Sequence, residues 1–218
     1  MTQTEQTVLG VRHLSDNTFV LRTTRDDIDV AAGQCFSVGT QGLAINREYS
    51  IYSGAKEPHL EFLIRKIDQG AVSTALSNLS EGDAVQVSGP FGAFCLKDEH
   101  LSGDPRTFVF IATGTGIAPF TSFVRTHQGL DFQVVHGVRF ANEQYEQEEF
   151  PEDKYFACIS QEPTWEGPRR VTELLSSHQL SSESLYYLCG NRNMIVDATK
   201  VLRARGIPGG QIFMETFF

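Results

Sequence analysis

The hydrophobic pattern of this 218-residue chain changes once, near the middle. The first half carries short runs in which apolar and polar residues alternate, separated by turn-forming residues, a rhythm typical of a small antiparallel β-barrel. The second half alternates continuous apolar runs with amphipathic stretches, which predicts a parallel sheet with crossover helices. The apolar runs lie at residues 107–112, 132–136, 155–159, 185–189 and 211–215, and helical periods fit residues 119–127, 172–177 and 192–205. The polar segment 98–106, which contains Gly103 and Pro105, separates the two patterns. We therefore expect two domains, at residues 1–102 and 103–218.

The segment Arg-Glu-Tyr-Ser-Ile-Tyr-Ser at residues 47–53 lies in the alternating run at residues 47–54. A strand there would present the Arg47 cation, the Tyr49 ring and the Ser50 hydroxyl to one elongated ligand. A flavin dinucleotide needs these groups: arginine clamps its pyrophosphate, an aromatic ring covers its isoalloxazine, and a hydroxyl can reach the nitrogen that exchanges hydride. An ordinary exposed strand of the same composition is the alternative.

A second motif follows the continuous apolar run at residues 107–112, which is typical of a parallel strand covered on both faces. Gly114, Gly116 and Pro119 form a G-x-G-x-x-P pattern. Glycines let the backbone approach a pyrophosphate, and the helix that follows offers its free N–H groups to the anion. Proline suits the first turn of that helix, because its φ is fixed and it lacks an N–H. The segment therefore predicts a dinucleotide-binding turn.

Four motifs in this order resemble the ferredoxin–NADP⁺ reductase family of flavoproteins, in its bacterial form without a fused iron–sulfur domain. They are R-x-Y-S at residues 47–50, G-x-G-x-x-P at 114–119, Cys-Gly-Asn at 189–191 and an aromatic C-terminus. The resemblance spans essentially the whole chain. It implies an N-terminal antiparallel FAD-binding β-barrel followed by a C-terminal parallel-sheet domain that binds NADP(H).

The resemblance also implies which residues bind the two cofactors. For FAD they are Arg47, Tyr49, Ser50, Ile64, Gly70, Val72, Ser73 and Thr74, and for the nucleotide they are Thr113, Gly114, Thr115, Gly116, Pro119, Arg139, Arg169 and Arg170. Residues 70–74 begin a helix-like segment whose first turn would bind the flavin pyrophosphate. From the residues alone, a plain helix N-cap explains that segment equally well.

Residues near the reacting atoms follow from the same resemblance. Ser50, Cys189 and Glu215 would surround the nicotinamide and the flavin nitrogen, and would orient the hydride transfer. Phe217 would cover the isoalloxazine and move aside for the nicotinamide, and Phe218 would lie over the flavin adenine. Judged alone, Cys189 could be a core residue of an apolar strand, and the two phenylalanines could simply finish a core strand.

The choice of nucleotide depends on the residues near the adenosine ribose. NAD-binding folds usually hold the 2′-hydroxyl with an acid about 20 residues past the glycines, whereas NADP sites place cations there. Residues 135–139 read Val-His-Gly-Val-Arg and offer no acid, and the resemblance adds a cation at Arg169 or Arg170. Gln161 stands where NADP-preferring members often carry arginine. We therefore expect the site to prefer NADPH over NADH, with one cation fewer for the 2′-phosphate than NADP-preferring members usually carry. Either Arg169 or Arg170 could instead be a solvated turn residue.

Composition excludes several other classes of function. The four cysteines form no C-x-x-C pair, so we expect neither a zinc site nor a plant-type iron–sulfur cluster. A formal net charge of −9 disfavours nucleic acid as a partner. The N-terminus shows no signal-peptide pattern, and no stretch is apolar enough to span a membrane. We therefore expect a soluble cytoplasmic protein without a metal.

Together these features predict an enzyme in which NADPH reduces bound FAD by hydride. Electrons then pass singly to a ferredoxin or flavodoxin on a separate chain, or flow in the reverse direction. An NADH-dependent reductase component of an oxygenase is the alternative among enzymes. A flavin-binding subunit without independent turnover is the alternative from another class, and a binding module without flavin is a more remote one. The oligomeric state is left open.

Overall fold

The computed structural model describes residues 4–102 and 106–217. Contacts divide the chain into two compact units. Unit 1 comprises Met1–Leu96 and Ala118–Gln128, and unit 2 comprises Lys97–Ile117 and Gly129–Phe218. A short segment from the second half of the chain thus groups with the N-terminal strands. The division of function between residues 1–102 and 103–218 stays a prediction.

Strands and helices alternate differently in the two halves of the chain. In order they are β1 (Thr4–Ser15), β2 (Thr18–Thr24), β3 (Cys35–Gly39), β4 (Arg47–Ser50), β5 (His59–Arg65), α1 (Ala71–Ser77), β6 (Ala84–Phe91), α2 (Asp98–Leu101), β7 (Phe108–Thr113), α3 (Ala118–Thr126), β8 (Phe132–Val138), β9 (Tyr155–Ile159), α4 (Val171–Ser177), β10 (Leu185–Asn191), α5 (Arg192–Ala204) and β11 (Ile212–Phe217). Within the described residues, no helix has both the length and the apolar character that crossing a membrane requires.

Unit 1 is built on a six-stranded antiparallel sheet with the order β4-β3-β6-β1-β2-β5. The two end strands of this order approach each other just beyond β4. There an antiparallel bridge joins Ile51 to Phe62, and the Tyr52 amide donates to the Glu61 carbonyl oxygen (2.8 Å). These contacts close the sheet on itself. The antiparallel barrel predicted from the alternating pattern is therefore confirmed.

The side-chain alternation of the strands builds the core of unit 1. Strand β6 buries Val85 and Val87 and leaves the residue between them partly exposed, as a strand with one buried face does. Phe62 and Ile64 on β5 are fully buried, and the Phe62 ring packs edge-on against Phe36 with centroids 5.7 Å apart. Because the Ile64 side chain lies in this core, a ligand could contact Ile64 only through its backbone.

Helix α3 is fastened to the barrel within unit 1. The Ser122 hydroxyl donates to the Ser53 carbonyl oxygen (2.7 Å), and the Arg125 guanidinium donates to the buried Glu61 carboxylate (2.8 Å). Arg125 also lies over the Tyr52 ring, 4.8 Å from its centroid. Helix α3 runs within one residue of its predicted bounds, but its polar contacts come from residues about 70 positions away along the chain.

Unit 2 is built on a five-stranded parallel sheet with the order β11-β10-β7-β8-β9. Its inner strands β7 and β10 are buried over nearly their whole length, as their continuous apolar sequences predict. Helix α5 follows β10 directly, and the Asn191 side chain caps it by accepting from the Asn193 amide (2.9 Å). The predicted parallel sheet with helical connections is confirmed.

Candidate functional site

The carboxyl edge of the parallel sheet offers a ligand-binding position between β7 and β10. After β7 the sheet continues through β8 and β9 on one side, whereas β10 and β11 lie on the other side. The two strands therefore flank a topological switch point, where open α/β sheets bind their ligands. The predicted turn at residues 114–119 directly follows β7 and begins at this position.

Backbone geometry explains both glycines of this turn. Residues Gly114–Ile117 form a short 3-10 helix, in which Gly114 has a left-handed φ of 53°. No described atom lies within 4 Å of a Cβ built on Gly114, so this side of the turn is open. A Cβ on Gly116 would lie only 2.4 Å from the Cys189 carbonyl oxygen. Gly116 is thus required for close packing against β10, and Gly114 for the turn itself.

Thr113 connects this turn to the end of β10. Its hydroxyl oxygen accepts from the Asn191 amide (3.0 Å), and a Cβ on Gly190 would lie 2.5 Å from the same oxygen. Gly190 also has a φ of 129°, which side chains rarely adopt. Thr115 is partly exposed in the turn, and Pro119 is buried in the first turn of α3, where the sequence predicted it.

His136, which sequence reasoning did not select, lies on β8 and hydrogen-bonds to the backbone of the turn. It is fully buried on β8, with Nε2 2.9 Å from the Gly114 carbonyl oxygen and Nδ1 2.7 Å from the Tyr155 hydroxyl. Burial lowers the pKa of His136 to about 4, although the hydrogen bond to Gly114 opposes this effect. The ring is therefore neutral at pH 7. Because a carbonyl oxygen only accepts, Nε2 carries the proton and Nδ1 accepts from Tyr155.

Cys189 and Glu215 lie opposite each other on the paired strands β10 and β11. The Cys189 sulfur is 4.0 Å from a Glu215 carboxylate oxygen. Burial, together with that carboxylate, raises the pKa of the thiol well above its usual value. The thiol therefore stays protonated and is a weak donor rather than a nucleophile. Phe217 is partly buried at the end of β11, and Phe218 lies outside the described residues.

The residues of the first motif occupy β4 in unit 1. Arg47 is exposed, and Tyr49, on the same side of the strand, is partly buried against the barrel core. Burial raises the pKa of Tyr49 to about 12, an effect that the Arg47 cation partly offsets. Ser50 follows on the other side of the strand and is buried. Arg47 and Tyr49 therefore lie on one side of β4, and the Ser50 hydroxyl lies on the opposite side.

Atoms at the start of α1 are closely packed around the Ser73 hydroxyl. The Ile67 amide donates to the Ser73 hydroxyl oxygen (3.1 Å), and a Cβ on Gly70 would lie 2.8 Å from that oxygen. Val72 is buried in the barrel core, whereas Thr74 is exposed. Four residues at this helix start were predicted to contact the flavin pyrophosphate. Of these, Ser73 instead hydrogen-bonds the turn before the helix, and the Val72 side chain packs in the barrel core. Thr74 stays exposed, whereas the Gly70 amide already donates to the Ile67 carbonyl oxygen (2.8 Å) and the Gly70 carbonyl oxygen accepts from the Thr74 amide (3.1 Å).

The cations predicted near the ribose lie beyond the carboxyl ends of β8 and β9. The Gln161 amide donates to the Arg139 carbonyl oxygen (2.8 Å), so the two strand ends are adjacent. Arg169 donates to a carbonyl oxygen of its own loop (3.3 Å), and Arg170 is exposed just before α4. Arg139 is ion-paired with Glu143, an acid that sequence reasoning did not select. The three cations are therefore not equivalent.

One group of possible metal ligands occurs among the described residues, formed by Glu57, His59 and Glu61. Glu61 already accepts from two guanidinium groups, with Arg22 Nη2 at 2.7 Å and Arg125 Nη1 at 2.8 Å. A metal ion would have to compete with these two positive charges. We assign no metal to this group, and the absence of a metal site stays a prediction.

Comparison with known protein families matches two domain models in succession. An oxidoreductase FAD-binding domain model matches residues 7–95, and an oxidoreductase NAD-binding domain model matches residues 110–200. The first model covers the strands of unit 1, and the second covers β7 through most of α5. Together the two models account for most of the chain.

Individual relatives match over nearly the whole chain. The toluate 1,2-dioxygenase electron transfer component of Pseudomonas putida is 30% identical, over 96% of this chain and 66% of the relative. A ferredoxin–NADP reductase of Azotobacter vinelandii is 29% identical, over 92% of this chain and 89% of the relative. Among solved structures, a ferredoxin NADP⁺ reductase from Neisseria gonorrhoeae with bound FAD and NADP superimposes with a TM-score of 0.85 at 25% identity, and the match covers 100% of both chains. With its barrel, its parallel sheet and both matched models, the chain belongs to the ferredoxin–NADP⁺ reductase family of flavoproteins.

Proposed function

We propose that this chain is an FAD-dependent reductase that transfers electrons between NADPH and a separate one-electron carrier, a ferredoxin or a flavodoxin. The observation that carries the proposal is the glycine turn at the switch point of unit 2. Thr113 and His136 fix this turn by hydrogen bonds, and Gly116 packs it against β10. A fixed turn with an open side suits the pyrophosphate of a dinucleotide, because its backbone amides need no rearrangement on binding.

The barrel residues suit FAD. Arg47 presents an exposed guanidinium for the pyrophosphate, and Tyr49 presents a ring on the same side of β4 for the isoalloxazine. The Tyr49 phenol is neutral at pH 7, and burial raises its pKa further, to about 12, so the ring places no negative charge beside the flavin. When bound, FAD supplies the exchange between a hydride and single electrons.

We assign alignment of the nicotinamide to Ser50, Cys189 and Glu215. Cys189 stays protonated, so it can donate a weak hydrogen bond without adding a second negative charge near Glu215. These side chains orient the reacting groups and set the local field, which is how a protein assists a transfer carried out by its cofactors. Phe217 is assigned the ring that covers the isoalloxazine and moves aside for the nicotinamide, and Phe218 the ring over the adenine.

NADPH is the favoured donor in this proposal. Arg169 and Arg170 follow β9, next to the end of β8, and offer cations for a 2′-phosphate. Gln161 supplies no charge at the same edge. One missing charge-assisted hydrogen bond costs about 1.5–3 kcal/mol, so the preference is smaller than a full set of cations would give.

An anaerobic titration tests the proposal. The purified protein, loaded with FAD, is titrated with NADPH and separately with NADH while the visible absorbance of the flavin is followed. We expect NADPH to bleach the flavin at a clearly lower concentration than NADH. Protein that binds no flavin, or flavin that neither nucleotide bleaches, would contradict the proposal. Reduced protein is then mixed with oxidised ferredoxin or flavodoxin to test the transfer to the carrier.

A second candidate is an NADH-dependent reductase component of an oxygenase. The ion pair between Arg139 and Glu143, together with Gln161, weakens the case for a 2′-phosphate site. The Pseudomonas putida relative is named as the electron transfer component of a dioxygenase. Bleaching by NADH at equal or lower concentration than NADPH would favour this candidate. A flavin subunit without its own turnover would be reduced in the titration but would fail to reduce artificial acceptors.

A further inference from the structure

Glu143 holds Arg139 in a tight ion pair. Arg139 Nε lies 3.1 Å from Glu143 Oε1, Arg139 Nη2 binds the same oxygen, and the Arg139 backbone amide donates to Glu143 Oε2 (2.9 Å). The carboxylate is nearly buried, with 9% of the side chain exposed, whereas the arginine is 36% exposed. Burial alone would raise the pKa of Glu143, but the bonds from Arg139 lower it overall. Both groups are therefore charged at neutral pH.

This pair lies where a dinucleotide site reads the adenosine ribose. Arg139 stands just past β8, about 20 residues beyond the glycine turn, where such folds place the residue that contacts the 2′ position. The Gln161 amide binds the Arg139 carbonyl oxygen, which sets the pair beside the loop that leads to Arg169 and Arg170. A short 3-10 helix, Ala141–Glu143, follows β8 and places the Glu143 carboxylate beside the end of that strand.

We propose that Glu143 determines nucleotide specificity by cancelling the charge of Arg139. The inference rests on the proposed function in one respect, that a pyridine nucleotide occupies this edge of the sheet. A 2′-phosphate that approaches Arg139 meets a carboxylate already bound to two nitrogens of the same guanidinium. Repulsion between the two anions offsets the attraction to the cation, because all three charges lie within a few bond lengths. Selection for the 2′-phosphate then falls to Arg169 and Arg170.

The variant Glu143→Gln separates charge from shape. Glutamine keeps an acceptor for Arg139 and nearly the same volume, but removes the negative charge. We expect the ratio of kcat/KM for NADPH to that for NADH to rise about tenfold, the size of one close like-charge interaction at an effective dielectric constant between those of protein and water. Glu148→Gln is the matched control, because this exposed acid of the same segment undergoes the same change in net charge. Its ratio should stay at the wild-type value.

A binding assay makes the test independent of hydride transfer. Trp165 is the only tryptophan, and its indole nitrogen donates to the Pro168 carbonyl oxygen (3.0 Å) in the loop before Arg169. Its fluorescence reports binding of 2′-phospho-AMP and, separately, of AMP. In Glu143→Gln the affinity for 2′-phospho-AMP should rise about tenfold, whereas that for AMP should stay the same. A folding defect would weaken both ligands together, so it cannot imitate this result.

The double variant Arg139→Gln with Glu143→Gln completes the experiment and leaves no unpaired charge if the single variant folds poorly. Because the pair is neutral as a unit, the double variant should select 2′-phospho-AMP over AMP within about threefold of wild type. An unchanged or reduced selectivity in Glu143→Gln would overturn the proposal, as would a double variant that loses most of the wild-type selectivity. If Glu143→Gln shifts the binding selectivity but neither nucleotide bleaches the flavin, the proposed function fails and this inference stands.

Discussion

Replacing Glu61 with glutamine would break the contact that fastens α3 to the barrel of unit 1. The Glu61 side chain is 2% exposed. Its Oε1 accepts from Arg22 Nε (2.9 Å) and Nη2 (2.7 Å), and its Oε2 accepts from Arg125 Nη1 (2.8 Å). Glutamine fits the same space, but it is neutral and carries an NH₂ group in place of one oxygen. That group would face a guanidinium, donor against donor.

The exposure of the two arginines sets the size of the effect. Removing one partner of a buried ion pair costs about 3–5 kcal/mol, because the other charge is left unpaired. Arg22 is 47% exposed and can turn to water, so its contribution is small. Arg125 is 18% exposed and carries most of the cost. We therefore expect the free energy of unfolding to fall by about 3 kcal/mol, which for a chain of this size lowers Tm by about 6–12 °C.

The pH dependence gives this prediction a definite sign. Burial alone would raise the pKa of Glu61, but the hydrogen bonds from Arg22 and Arg125 lower it overall from 4.5. A carboxyl whose pKa is depressed on folding stabilises the protein above its unfolded pKa and loses that effect as pH falls through its folded pKa. The stability difference between wild type and Glu61→Gln should therefore be complete at pH 7 and should shrink below about pH 4.5.

Urea unfolding followed by circular dichroism, across this pH range, measures the difference. Glu48→Gln is the matched control, because Glu48 is exposed on β4 of the same unit and undergoes the same chemical change. Its free energy of unfolding should stay within about 0.5 kcal/mol of wild type. If Glu61→Gln unfolds like wild type at pH 7, or if its deficit is the same at pH 7 and at pH 3, the ion-pair reasoning is wrong.

Two further predictions address the proposed nucleotide-binding turn of unit 2 and the proposed flavin-binding strand β4 of unit 1. In Gly116→Ala the new Cβ would lie 2.4 Å from the Cys189 carbonyl oxygen, so the turn must shift. We expect the dissociation constants for the nucleotides to rise at least about tenfold, with the flavin content unchanged. Gly10→Ala is the control, because a Cβ on Gly10 meets no atom within 4 Å, and this variant should bind nucleotide like wild type. Arg47→Ala and Tyr49→Ala should each yield largely flavin-free protein, measured by the ratio of visible to ultraviolet absorbance. Glu48→Ala is the control and should keep its flavin. Full flavin occupancy in both Arg47→Ala and Tyr49→Ala would contradict the assignment of β4 to the flavin site.

Much of the fold could be predicted from the sequence because each half repeats one simple period. The predicted strand at 155–159 coincides with β9, and the other parallel strands begin within one residue of their predicted starts. The first motif was expected to form a strand through residue 54, but β4 ends at Ser50. Beyond it the chain crosses to β5, with a bridge at Ile51. Such a crossing depends on tertiary contacts, which a local pattern does not contain.

The candidate site was less accessible to sequence reasoning, for two physical reasons. A motif does not tell whether a residue meets a ligand through its side chain or its backbone, and the Ile64 and Val72 side chains lie in the barrel core. A pattern of apolar residues also hides a polar one among them, as it hid His136 on β8. The signal that could have found His136 is its place near the carboxyl end of a strand next to the glycine turn, where a buried polar group needs partners.

The charge balance near the ribose shows why nucleotide preference is harder to predict than fold. A sequence count treats Arg139 and Arg170 as equal cations, but a cation selects a phosphate only when no fixed anion has already neutralised it. At Glu61 two guanidinium groups share one carboxylate, and a second carboxylate, that of Glu57, lies within 4.8 Å, so the charge is set by the whole cluster. At Arg139 one guanidinium meets one nearly buried carboxylate, and the pair is neutral. The same residue types thus form different charge clusters, and at Arg139 the pair forms because a short 3-10 helix, Ala141–Glu143, places an acid beside the end of β8.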